Sequence, residues 1–100
     1  MSENAYIGQD LKYQVEITSP GFSMTEDDFT VEIRSPRHSE LFRKSDLVQD
    51  ENNKFYVCFC TTEFGRGTIS MVVTALVPDL DFDDGIRTEV FKQDLIDVLK

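Results

Sequence analysis

The chain has no tryptophan, one histidine, two cysteines and three prolines in 100 residues, and each shortage closes a route. The only imidazole, His38, lies in Ser35-Pro36-Arg37-His38-Ser39. A nucleophilic site needs a nucleophile, a base and an orienting group, and a serine beside a histidine in sequence is not thereby placed to attack, so His38 is read as an exposed loop residue. Cys58 and Cys60 are separated by one residue. On an extended strand they leave the same face too far apart to bond comfortably, and they are read as reduced, buried, small side chains suited to a reducing compartment. With His38 they supply at most three zinc ligands at non-finger spacing, so no structural zinc is expected. No apolar run approaches the ~20 residues of a membrane span, and the start Met1-Ser-Glu-Asn-Ala-Tyr lacks the basic and apolar regions of a secretory signal, so a cytoplasmic location is expected. Basic residues are also scarce: ten against nineteen acids give a formal charge of −9. That charge repels phosphate backbones and anionic bilayers, which removes nucleic acid and membrane surface from the expected partners.

What is present suffices for one core. A hydrophobic content of 40% with eight phenylalanines, in a chain of this length, implies a single domain spanning residues 1–100, with residues 1–7 expected to be flexible. The acids gather at Glu26-Asp27-Asp28, at Asp46, Asp50 and Glu51, and at Asp79, Asp81, Asp83 and Asp84. Acids so placed are read as solvated turns that keep strand edges apart.

Period-two alternation dominates. Leu11, Tyr13, Val15 and Ile17 alternate with polar residues until Ser19-Pro20-Gly21, and Phe29, Val31 and Ile33 alternate until Ser35-Pro36. Residues 37–48 predict one or two short edge strands. Asp50-Glu51-Asn52-Asn53 predicts a hairpin turn into Lys54–Cys60. Gly65-Arg66-Gly67 precedes a long strand over Thr68–Val77, and Asp83-Asp84-Gly85 starts another at Ile86. The end of the chain fits either a helix or a strand interrupted near Gln93-Asp94. Strand is the expectation, because β-branched residues carry the apolar positions and no cap precedes them. The fold class expected is all-β, an immunoglobulin-like antiparallel β-sandwich of about seven strands.

Two of these strands are apolar on both faces. Phe55, Val57 and Phe59 are backed by Tyr56, Cys58 and Cys60, and Ile69, Met71, Val73, Ala75 and Val77 are backed in part by Val72 and Leu76. The two strands are therefore expected to be central, paired with each other and covered on both sides. The cover over Tyr56, Cys58, Cys60, Val72 and Leu76 is either the chain itself, through residues 37–48 or Leu95-Ile96, or another protein. These five residues are the interface candidates, with a protein partner or a second copy as the occupant.

Asp79-Leu80-Asp81-Phe82-Asp83-Asp84-Gly85 resembles the start of a calcium loop, but its glycine comes one place late and Val90 stands where the twelfth-position glutamate belongs. It is read as an acidic turn, with Asp79, Asp81 and Asp83 the only candidate cation ligands. No catalytic residues and no cofactor are expected.

Gly8-Gln9-Asp10, the strand Phe29–Arg34, the turn and strand Asp50–Phe59, and Gly65-Arg66-Gly67 before a long strand together resemble the immunoglobulin-like modules of phage virion proteins, including N-terminal domains of baseplate upper proteins. Tyr56-Val57-Cys58-Phe59 and the stretch from Val77-Pro78-Asp79 to Asp84-Gly85-Ile86-Arg87-Thr88-Glu89-Val90 also resemble small uncharacterised proteins of gut Bacteroides and their mobile elements. The phage resemblance implies a non-catalytic structural subunit or adaptor of a tail or baseplate, associated with the virion. The alternative expectation is a ligand- or carbohydrate-binding immunoglobulin-like module, assisted by calcium.

Overall fold

A computed structural model describes residues 4–99. Eight strands run in the order β1 (Asn4–Tyr6), β2 (Asp10–Val15), β3 (Phe29–Arg34), β4 (Ser39–Arg43), β5 (Val48–Gln49), β6 (Phe55–Cys60), β7 (Gly67–Pro78) and β8 (Ile86–Leu99). They form a five-stranded sheet, β1-β8-β7-β3-β4, and a three-stranded sheet, β2-β6-β5. The fold is all-β, and no helix among the described residues is long and apolar enough to cross a membrane.

Alternation determines which faces meet. On β3, Phe29, Val31 and Ile33 are fully buried while Thr30, Glu32 and Arg34 point away from the core. On β6, Phe55, Val57 and Phe59 come up from the smaller sheet, and Phe29 meets Phe55 edge to face at 5.5 Å. Burying each such ring contributes about 1.5–3 kcal/mol, so this inter-sheet layer dominates stability. Val15, Ile69, Val73, Ala75, Val77, Phe64 and Val98 complete the layer.

The expected pairing of β6 with β7 does not occur. They are the central strands of different sheets, and the inward residues of both enter the same core. An apolar pattern on both sides of a strand marks it as interior to some sheet but does not say which. The 3₁₀ turn Thr61–Glu63 and the Gly65-Arg66-Gly67 break carry the chain across to the other sheet instead of folding it back as a hairpin. The buried Thr61 hydroxyl donates to the Tyr6 carbonyl at 2.7 Å and accepts from the Gln9 amide at 3.0 Å, which ties this crossing to the start of the chain. Residues 4–6, expected to be loose, consequently form β1, parallel to the end of β8, with Ala5 fully buried. Residues 1–3 lie outside the described residues.

The final segment is strand throughout. Its expected interruption is a β-bulge: Ser70 faces Asp94 and Ile69 faces Ile96, so Leu95 is the extra residue. Residues 37–48 form the edge strands β4 and β5 joined by a 3₁₀ turn at Lys44–Asp46. Lys44 Nζ donates to the carbonyls of Thr25 and Asp27 at 2.9 Å each and lies 5.7 Å from the Phe29 and Phe55 rings, closing that side of the sandwich. At the opposite end of β3, Gly67 has φ 116° and presses so close to Pro36 that a Cβ would stand 2.7 Å from its Cγ, which only glycine permits.

Candidate interaction surface

Because β6 and β7 lie in different sheets, the five interface candidates divide between the two outer faces of the sandwich, and among the described residues no further strand or helix covers either face. On the outside of the smaller sheet, Tyr56, Cys58 and Cys60 oppose Gln14, Lys12 and Asp10 of β2. Cys58 and Cys60 are free thiols, but Cys58 is exposed and Cys60 half-buried, so neither is the core residue expected. A core position is excluded by register, since Phe55, Val57 and Phe59 occupy the inward phase of the same strand. Tyr56 is shielded by its neighbours: Lys12 Nζ sits 4.7 Å above its ring and its hydroxyl donates to Asp50 at 3.3 Å. Loss of solvation, followed by the Asp50 charge, raises the Tyr56 phenol above its usual range. This face is polar in character.

The outside of the larger sheet is different. Val72 is half-buried and Leu76 exposed, and register places them with Leu41 of β4 and with Val90 and Ile86 of β8. Towards the Gly67 end the same face becomes polar. Ser70 donates to Asp94 at 2.8 Å, Thr68 donates to Asp97 at 2.6 Å, and Arg34 pairs with Glu32. The apolar half lies on the distal part of the β7–β8 hairpin, and its tip adds Leu80, 97% exposed, and Phe82.

This hairpin also carries an open edge. β1 pairs only with Asp97–Leu99, so among the described residues Ile86–Asp94 has a strand neighbour on one side only. Ile86, Val90 (62% exposed) and Phe91 stand along it. Sequence reasoning did not assign Val90 and Phe91 to this surface, since both were read as part of an ambiguous terminus; register places Val90 beside Thr74 on the outer face and Phe91 beside Val73 on the inward phase. A strand edge of this length with exposed apolar side chains is a template for another strand.

The distal hairpin is held rigid from below. Arg87 pairs with Asp79, donates to Glu89 at 2.9 Å, and reaches the Pro20 carbonyl at 2.9 Å and the Ser19 hydroxyl at 3.2 Å. Ser19 donates in turn to Glu89 at 2.6 Å. The backbone amide of Asp81 and then Arg87 hold the Asp79 carboxyl below its usual range, and the Ser19 hydroxyl and then Arg87 do the same for Glu89. Both oxygens of Asp79 are thus engaged, one by Asp81 N–H and one by a guanidinium. Asp79, Asp81 and Asp83 do not converge on a common point, and the segment is a turn closed by Asp79 N–H to Gly85 and Gly85 N–H to Phe82.

Cys58, Cys60 and His38 do not converge either. Among the described residues one set of three metal-ligating side chains does come together: His38, Glu40 and Glu63. Sequence reasoning missed it because Glu63 arrives from the far side of the sheet crossing. Comparison with protein-family models, with curated proteins and with solved structures finds no match in any of the three.

Proposed function

We propose that the chain is a non-catalytic, immunoglobulin-like interaction module that docks through the open edge of β8, with a second copy of the chain as the occupant. The fold reading is supported by strand order. With β1 to β8 taken as strands A′, B, C, C′, D, E, F and G, the sheets read B-E-D and A′-G-F-C-C′, the arrangement of immunoglobulin-type sandwiches. The single observation that carries the docking reading is the run Ile86–Asp94, without a strand neighbour on its outer side among the described residues and bearing exposed Ile86, Val90 and Phe91.

Local charge favours this edge over others. The protein carries −9 overall, yet Arg87 and Lys92 balance Glu89 and Asp94 along β8, so two such edges meet without the repulsion that separates the rest of the surface. A role as a structural component of a phage tail or baseplate fits a module of this kind, and the resemblance alone supports that part of the proposal.

Light scattering over a concentration series at low and at high salt tests the docking. Association should rise with protein concentration and strengthen with salt, which screens the net charge, and Val90→Glu should abolish it without lowering Tm. A species that stays monomeric at every concentration and salt level, or association indifferent to Val90→Glu, would overturn the proposal.

A further inference from the structure

The geometry points to a divalent transition-metal site, of the zinc class, formed by His38, Glu40 and Glu63 at the pole of the sandwich opposite the Arg87 network. One ligand atom from each of the three side chains lies within 4.8 Å of the other two. A zinc ion bound at 2.0–2.2 Å by nitrogen and oxygen donors needs ligand separations of roughly 3–3.5 Å, so the three side chains must draw in from their present spacing to hold it.

Each ligand is placed by a different part of the fold. Ser35 N–H donates to the His38 carbonyl at 2.7 Å, and the Ser35 hydroxyl donates to the Phe64 carbonyl at 2.6 Å, which holds the β3–β4 turn against the end of the 3₁₀ turn Thr61–Glu63. The His38 ring packs edge to face on Phe64 at 5.1 Å, and Phe64 is buried. Glu40 lies opposite Ile33 in the β3–β4 register, and Ile33 is fully buried, so Glu40 stands on the inner face of its sheet and is half-buried there. Glu63 approaches from the crossing that leaves the other sheet. The site therefore bridges the two sheets.

Two observations separate it from an ordinary acidic surface. The set contains an imidazole, and an inward-facing carboxylate on an edge strand is brought against a second carboxylate. Among the described residues neither Glu40 nor Glu63 makes a side-chain hydrogen bond or ion pair, although Arg37 and Arg66 lie close in sequence. Two carboxylates this close repel in the absence of a cation, and a divalent ion converts that repulsion into attraction. One nitrogen and two oxygens suit zinc and its first-row neighbours, whereas calcium takes six to eight oxygens and magnesium keeps most of its water. Three protein ligands leave a coordination position for water at this exposed pole.

Isothermal titration of the intact chain with zinc chloride at neutral pH, with calcium and magnesium chloride as comparison arms, tests the assignment alongside thermal melts. Zinc should bind with a stoichiometry of one and raise Tm by roughly 5–10 °C when saturating, because the ligand set exists only when both sheets are assembled. His38→Gln and Glu63→Gln should each weaken zinc binding at least tenfold, while Cys58→Ser with Cys60→Ser should leave it unchanged. Both ligand variants retain side-chain size, and their metal-free melts establish that they fold. Zinc binding that survives Glu63→Gln but disappears with the cysteines, equal responses to zinc, calcium and magnesium, or no heat and no shift would each overturn the assignment.

Discussion

The two ends of β7 carry polar clusters built on opposite electrostatic principles. At the Pro78 end, one guanidinium serves two carboxylates, a hydroxyl and a backbone carbonyl, and the charges compensate one another. At the Gly67 end, two carboxylates and an imidazole gather with no cation from the described residues among them. At the first pole Arg87 itself fastens the Ser19-Pro20 loop to the hairpin, whereas at the second the fastening is done beside the carboxylates, by the Ser35 hydroxyl on the Phe64 carbonyl and the His38 ring on Phe64. The difference teaches that proximity of charge has two uses in one small fold: one pole is complete in the protein alone, and the other gains from an added ion.

The comparison is broken most severely at Gly67. Gly67→Ala places a methyl against Pro36 and a side chain at φ 116°, which should cost about 2–4 kcal/mol by adding overpacking to backbone strain. Chemical denaturation should show the loss, and hydrogen exchange should rise at residues 35–40 while the paired stretch 86–89 of the hairpin stays protected. Exchange rising equally at both poles would show that they are not separately fastened.

Arg87→Met acts at the other pole and should lower Tm by less, freeing residues 19–21 from the hairpin. It also has a pH signature. Asp79 and Glu89 titrate below their ordinary values of 3.8 and 4.5 in the folded protein, so the stability they contribute is complete above those values and is lost as pH falls through the lower folded ones. Wild-type Tm should therefore fall steeply on acidification below about pH 4.5, and the fall should be shallower in Arg87→Met. Parallel pH profiles would remove the network from the account of acid sensitivity.

The smallest effect sharpens the contrast. With metal chelated, Glu40→Gln should leave stability unchanged or raise it by up to about 0.5 kcal/mol, since it relieves repulsion without removing a hydrogen bond. A clear loss of Tm would mean that Glu40 already has a favourable partner.

Much of this fold was legible in the residues. The strand Phe29–Arg34 was readable to the residue because alternation is unbroken and Ser35-Pro36 ends it, and the hairpin before β6 was signalled by Asn53, which adopts φ 61°. Assignment of strands to sheets was not legible, because the alternation of Phe55–Cys60 is the same in either sheet, and the error placed Tyr56 and Val72 on one surface when they occupy two. β1 escaped notice because three residues carry no period, and its place is set by Thr61 and β8. Of the interface candidates, Val72 and Leu76 lie on the apolar face. Its larger part, Ile86 and Val90, could have been found by extending the alternation that begins at Ile86 through the terminus, while Phe91, in register with the buried Val73, flanks the same edge from the inward side.

The parallel contact between β1 and β8 has a mechanical consequence. Asn4 lies beside Asp97 and Tyr6 beside Leu99, so a pull that draws Asn4 and Leu99 apart slides the two strands along their length in opposite senses. The bonds between them then bear the load together instead of peeling one after another. Three residues of strand thus give the domain a grip against stretching out of proportion to their share of its core.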